Sequence, residues 1–231
     1  MSQNLSIETP DGTFNAYVAK PAILPAPVVV VIQEIFGVNA VMRGVADEYA
    51  KLGYIAVCPD LFWRIEPGIE LTDKTDDEWQ KAFGYLQKFD ADKGAEDIQA
   101  TLTAARALPD ATEKAAVVGY CMGGMMTYLA ATRTDGDAFA SYYGAGIDNY
   151  LGEVGNIKKP LIMHLAGQDE FIPTEAQDKI KAAVKDKTDA TIYQYPDRNH
   201  AFCRKGGNHY DEKDAATANA RTAEFLKQNL A

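Results

Sequence analysis

Residues 27–33 (PVVVVIQ) are apolar and β-branched almost without a break, the pattern of a strand covered on both faces. Amphipathic spacing then predicts a helix over about 40–52, ended by Gly53, and residues 54–59 (YIAVCP) read as the next strand. Past a loop holding Trp63, Pro67 and Gly68, helical periodicity returns at about 76–88 and 91–107. The run 115–118 predicts a further buried strand, and an apolar helix starts at Met122. Residues 139–143 and 160–165 read as strands, 175–184 as a helix, 191–195 as a strand and 215–229 as a closing amphipathic helix. Two short alternating runs, 5–7 and 14–18, flank Asp11-Gly12 as an antiparallel hairpin at one edge.

Strands that alternate with helices need crossover connections, so the expected fold class is α/β, with a mostly parallel central sheet and helices on both faces. The order of elements is that of an α/β-hydrolase fold. No Pro/Gly/Ser-rich linker, charge block or repeat divides the 231 residues, which are read as a single domain, 1–231. A formal net charge of −10 argues against nucleic acid and against an anionic membrane surface as partners. Three cysteines without a C-x-x-C pair suggest neither a disulfide framework nor a thiolate zinc site. The N-terminal stretch lacks a basic and apolar leader, and no apolar run approaches the roughly 20 residues a bilayer needs. The expectation is a cytoplasmic monomer with no metal and no cofactor.

Candidate chemistry centres on Gly119-Tyr120-Cys121-Met122-Gly123, a G-x-C-x-G pentapeptide at the end of a predicted strand. This is the nucleophile-elbow pattern with sulfur in place of the usual hydroxyl: a strained turn between strand and helix, with glycines either side permitting close approach. It places Cys121 exposed at the tip of the sheet, with the amides of the following helix aimed at its sulfur. An inert buried thiol could sit in the same pentapeptide, so the partners of Cys121 decide. In parallel sheets they come from loops at the carboxyl ends of strands, here 166–173 and 197–202. His200 in the second loop is the candidate base, and Asp169 in the first its orienting acid, with Glu170 as competitor. His164 lies inside an apolar strand and reads as a satisfied core histidine, and His209 as a solvated loop residue. Glu34 follows the central strand at the mouth of the expected pocket. It could simply bind loop amides, or it could govern ionisation of a thiol whose ordinary pKa near 8.5 leaves it mostly protonated. The amides of Ile35 and Met122 are candidates for an oxyanion hole, and acyl transfer from an ester or lactone suits such a set.

Five segments together resemble the dienelactone hydrolase (carboxymethylenebutenolidase) family: Gln33-Glu34-Ile35-Phe36-Gly37, Ala56-Val57-Cys58-Pro59-Asp60-Leu61, Gly119-Tyr120-Cys121-Met122-Gly123-Gly124, Gly167-Gln168-Asp169 and Asn199-His200-Ala201-Phe202. The resemblance runs nearly the whole length. It implies a thiol hydrolase with Cys121 as nucleophile, His200 and Asp169 as its partners, and Glu34 helping to deprotonate the thiol when substrate arrives. It also implies oxyanion amides at Ile35 and Met122, and Arg204 as a grip on a substrate carboxylate that pairs with Glu34 at rest. One departure stands out. Trp79 occupies the place of a second family arginine, with Phe83 and Leu86 beside it, and Lys81 is the nearest cation on that helix. The expected substrate is therefore a small lactone or ester, carboxylate-bearing in some cases. Rival readings are a broader carboxylesterase or thioesterase for apolar acyl groups, and a thiol sensor in which Cys121 is oxidised.

Overall fold

The computed structural model of the chain describes residues 3–231. Its elements run β1 (Gln3–Thr9), β2 (Gly12–Ala19), β3 (Ala26–Ile32), α1 (Ala40–Lys51), β4 (Ile55–Pro59), α2 (Asp76–Lys88) and α3 (Ala91–Arg106). There follow β5 (Ala111–Tyr120), α4 (Met122–Arg133), β6 (Ala138–Tyr142), a 3₁₀ segment (Ile147–Asn156), β7 (Leu161–Ala166), α5 (Thr174–Val184), β8 (Ala190–Tyr195) and α6 (Glu212–Leu230). All eight strands form one sheet in the order β1-β2-β4-β3-β5-β6-β7-β8. The β1/β2 and β2/β4 pairs are antiparallel and every pair from β4 to β8 is parallel. The expected sheet, with its hairpin at one edge, is the one observed.

The strands at the centre are apolar because both of their faces are covered. Val28 to Val31 on β3 and Ala115 to Val118 on β5 are fully buried, and α4, which packs on β5, β6 and α3, is buried all round from Met122 to Thr132. Helix α6 meets β5 and β6 from the opposite side, while α1 covers β2, β3 and β4. Helix starts follow local capping chemistry. Asn39 accepts from the Met42 amide, Thr75 from that of Glu78, and Asp211 from that of Asp214, each satisfying an orphan donor of the first turn.

Four details differ from the sequence expectation. The hairpin pairs Thr9 with Gly12, so its two loop residues are Pro10 and Asp11, one position earlier than the Asp11-Gly12 step. Strand β5 starts at Ala111, earlier than expected, because its first four residues are partly or fully exposed at the strand's start and carry no apolar pattern, although Ala111 pairs with Ala26 of β3. Helix α6 starts at Glu212, fixed by the Asp211 cap, where periodicity alone placed it later. The 3₁₀ segment was not expected at all; its two glycines and short length give no helical period. Among the described residues, no helix is long and apolar enough to cross a membrane.

Candidate active site

Cys121 sits between the last residue of β5 and the first of α4, with φ 57° and ψ −120°. Such torsions are sparsely populated for a residue with a side chain and cost on the order of 1–3 kcal/mol. The flanking glycines make the turn possible by close approach. A Cβ on Gly119 would lie 2.0 Å from the Gly123 carbonyl oxygen, and one on Gly123 would lie 2.5 Å from that of Ile32 and 2.6 Å from that of Gln33. The elbow is pinned by the Cys121 amide, which donates to the Tyr142 carbonyl at 3.1 Å. Met122, as the first residue of α4, leaves its N–H free of the helical ladder, and Ile35 lies in the turn three residues past the end of β3, the strand paired with β5.

The acid and histidine loops follow β7 and β8, which are adjacent and parallel. They are clipped together by Gly167 N–H to Tyr195 O at 2.7 Å and Gln168 N–H to Arg198 O at 2.8 Å. The Asn199 side-chain oxygen accepts from both Glu170 N–H at 3.0 Å and His200 N–H at 2.6 Å. In this frame Nδ1 of His200 lies 2.9 Å and 3.0 Å from the two carboxylate oxygens of Asp169. Asp169 Oδ1 also accepts from the Phe171 amide at 2.9 Å, which fixes the carboxylate. Glu170, by contrast, points outward and is half-exposed beside His209.

Nε2 of His200 is buried, makes no hydrogen bond, and shares a cavity of about 80 Å³ with Cys121. Burial disfavours the imidazolium. The adjacent Cys121 sulfur and the Asp169 carboxylate outweigh that penalty and raise His200 to about 10. The other histidines behave differently. His164 is buried with Nδ1 at 3.0 Å from the Tyr195 hydroxyl and Nε2 at 3.0 Å from that of Thr222, and burial pushes it down to about 3. It is the satisfied core histidine the sequence suggests. His209 is exposed yet not free, since its Nδ1 lies 3.1 Å from the His200 carbonyl oxygen.

Glu34, buried at the end of β3, faces Arg204 in a two-pronged pair: Nε to Oε2 at 2.7 Å and Nη2 to Oε1 at 3.0 Å. The third guanidinium nitrogen, Nη1, reaches Asp73 Oδ2 at 3.2 Å. Burial works against the charged guanidinium, but Glu34 outweighs that penalty and holds it charged, and its carbon lies 5.0 Å over the Phe36 ring. Of the two readings of Glu34, loop amides find no support here; its partner is the arginine.

The small cavity is lined by Ile35, Trp79, Phe83, Leu86, Met125 and Phe171 besides Cys121, Met122, Ala145, His200 and Arg204. Trp79 meets Phe36 edge-on at 4.9 Å, Phe83 lies 5.6 Å from Trp79 and 6.2 Å from Phe171, and Phe171 meets His200 edge-on at 4.8 Å. This arch of rings corrects one expectation. Cys121 is not exposed at the sheet tip but 8% exposed, because α2 and the loop after β7 bring aromatic side chains over it. Lys81 is exposed and lines neither this cavity nor the larger one beside it, so it does not replace the missing arginine. Sequence reasoning missed Asp73, which sits in a polar stretch that reads as solvated loop. It also missed Tyr143, whose ring meets His200 edge-on at 5.2 Å.

Residues 14–230 match the model of the dienelactone hydrolase family. A protein of Azospirillum brasilense is 48% identical over 221 residues, 95% of each chain. The carboxymethylenebutenolidase of Pseudomonas putida is 37% identical over 227 residues, covering 98% of this chain and 96% of its own. A crystal structure from Klebsiella pneumoniae superposes with a TM-score of 0.86 over 99% of this chain and 98% of that one at 24% identity, which supports the fold. With an α/β-hydrolase sheet, an elbow cysteine and these relatives, the chain belongs to the dienelactone hydrolase family.

Proposed function

We propose that the protein is a cofactor-free thiol hydrolase of small lactones and carboxylic esters, with Cys121 as nucleophile, His200 as base and acid, and Asp169 as the residue that orients His200. The observation that carries this is the His200 ring. Its Nδ1 is held by both oxygens of Asp169, while its Nε2 is buried without a partner in the cavity that Cys121 lines. A hydrogen-bonded carboxylate on one nitrogen fixes the tautomer and supports the imidazolium, leaving the other nitrogen to hold a proton beside the sulfur and pass it to the leaving group.

In the proposed reaction the Cys121 thiolate attacks the acyl carbon, and the amides of Ile35 and Met122 receive the charge that develops on the carbonyl oxygen. Collapse expels the alkoxide, which takes the proton from His200 Nε2. Water, deprotonated by the same nitrogen, then attacks the thioester, and collapse breaks the C–S bond to release the acid and leave the Cys121 thiolate beside the reformed imidazolium. Glu34 is engaged by Arg204 at rest; its proposed part is to accept the thiol proton once the bound acyl group shifts that pair, with His200 already protonated, and to return that proton to sulfur when the acid leaves. Trp79 and Phe83 are proposed to bound the acyl group.

One observation favours the broader carboxylesterase version of this reading. Apart from the reacting groups and Arg204, the cavity side chains are apolar, which suits an apolar acyl group. A thiol sensor would have no use for a carboxylate fixed on His200. The test is rapid-quench mass spectrometry with an activated 4-nitrophenyl ester. One acyl group should appear on the peptide holding Cys121, and Cys121→Ala should show neither the adduct nor turnover while its melting temperature stays within a few degrees. Turnover by Cys121→Ala at a comparable rate would remove the assignment.

A further inference from the structure

Among the described residues, Arg204 is the only lysine or arginine that lines either the small cavity over Cys121 and His200 or the larger one beside His200. Each of its three guanidinium nitrogens already faces a carboxylate: Nε and Nη2 meet Glu34, and Nη1 meets Asp73. The three side chains are 8%, 3% and 8% exposed, so one cation is enclosed with two anions. Lys74 touches Asp73 at 2.9 Å, but from the solvent side, where it is 56% exposed and also bound to the Gly206 carbonyl at 2.6 Å. Glu170 adds a further acid at the rim of the larger cavity, which measures about 370 Å³. An incoming carboxylate would therefore meet a guanidinium with no free edge, already held by Glu34 and Asp73, with Glu170 at the rim.

On the hydrolase reading above, we propose that Asp73 is a specificity-determining residue, which closes Arg204 to substrate acids and directs the site to uncharged acyl groups. Trp79 contributes twice. It lines the acyl cavity and its indole N–H donates to the Asp73 carbonyl at 3.2 Å, so the apolar wall and the loop carrying the acid are tied together. The name of the Pseudomonas putida relative describes a carboxymethylene-bearing lactone. Selectivity in this chain runs the other way. Discrimination of this kind works by setting an unfavourable charge against the wrong substrate rather than adding contacts to the right one.

The mono-4-nitrophenyl ester of adipic acid and the same ester methylated at its far carboxyl differ by that charge and one methyl group, and kcat/KM on the two, compared between wild type and Asp73 variants, tests the proposal. The wild type should prefer the methylated ester by about tenfold or more, the ratio that corresponds to ~1.4 kcal/mol. Asp73→Asn should reduce that preference about tenfold, whereas Asp73→Glu should keep it. Raising salt from about 0.01 M to about 0.5 M shortens the screening length several-fold and should narrow the preference in the wild type. Equal use of the two esters by the wild type overturns the proposal while leaving the hydrolase standing, as does a preference that survives in a folded Asp73→Asn variant. If that variant does not fold, the salt series decides, and a salt-independent ratio overturns it. Hydrolysis of neither ester removes the hydrolase reading and this proposal together.

Discussion

Replacing Asp169 by asparagine removes one charge from beneath His200 while keeping nearly the same shape. The carboxylate now stands 2.9 Å and 3.0 Å from Nδ1, and Asp169 and the Cys121 sulfur together raise the ring to about 10 against the penalty of burial. A hydrogen bond to a charged group is worth about 1.5–3 kcal/mol, so losing it should lower the His200 pKa by roughly one to two units at about 1.4 kcal/mol each. The sign for stability follows from the direction of the shift. A histidine raised above its unfolded value of 6.5 contributes stability that is complete below about pH 6.5 and is lost as pH rises through about 10. In the variant that loss should begin at a lower pH. Asparagine also offers Nδ1 either an oxygen or an NH₂ group, and the second choice forces the tautomer that cannot take a proton at Nε2. Acylation should therefore fall by at least about tenfold from charge alone, and by as much as roughly 10⁴-fold if the tautomer is wrong.

The assay is the pH profile of acylation with a neutral 4-nitrophenyl ester, followed by release of nitrophenolate, alongside the pH profile of iodoacetamide alkylation. Both should lose amplitude and shift their imidazolium-dependent limb to lower pH. A variant that acylates within about threefold of the wild type, with its limb unmoved, would show that Asp169 neither charges nor orients His200. The interval is wide enough to decide, because charge loss alone predicts a change near tenfold or more.

Other predictions follow from the same geometry. His164 is held neutral by burial, lowered from 6.5 to about 3, so its part of the stability is present above pH 6.5 and lost as pH falls towards 3. Urea midpoints measured across that range should fall for the wild type and fall less for His164→Gln, and parallel curves would contradict the assignment. Gly123→Ala would press a methyl within 2.5 Å of backbone oxygen and should cost about 3 kcal/mol or more in urea unfolding or prevent folding. Gly84→Ala on α2, where a Cβ meets nothing within 4 Å, should instead stabilise by about 0.4–1 kcal/mol. The reverse order of these two variants would mean that the elbow is not set by close approach.

Much of the site was legible because chemistry and fold impose the same spacing. The elbow pentapeptide ends a buried strand, and parallel order alone puts the loops after β7 and β8 beside each other, so Asp169 and His200 could be named from position. The choice of Asp169 over Glu170 was also readable, since the residue nearer the glycine turn faces inward. What could not be read is contact between elements distant in sequence. Asp73 and Arg204 lie 131 positions apart and meet only after two irregular loops fold against each other. Phe171 and Phe83 likewise cover Cys121 through rotamers and loop paths that no periodicity encodes, so the thiol expected at an exposed tip lies under an aromatic arch.

Among the described residues, three other than glycine have positive φ: Cys121 at 57°, Tyr143 at 37° and Ala201 at 59°. All three adjoin the proposed chemistry. Cys121 carries the sulfur, Tyr143 sets its ring edge against His200, and Ala201 directly follows His200. Strained torsions persist only where the surroundings over-determine them, and each of these is tied by backbone hydrogen bonding. Cys121 N–H donates to Tyr142 O at 3.1 Å, Tyr143 N–H to His164 O at 2.8 Å, and Ala201 O accepts from Arg204 N–H at 2.9 Å. His164 thus supports the site without joining its chemistry. Its buried ring is locked by Tyr195 and Thr222, and its carbonyl holds the turn that aims Tyr143 at His200. The core histidine keeps its backbone in register, and the strained turn beside it can keep His200 in place.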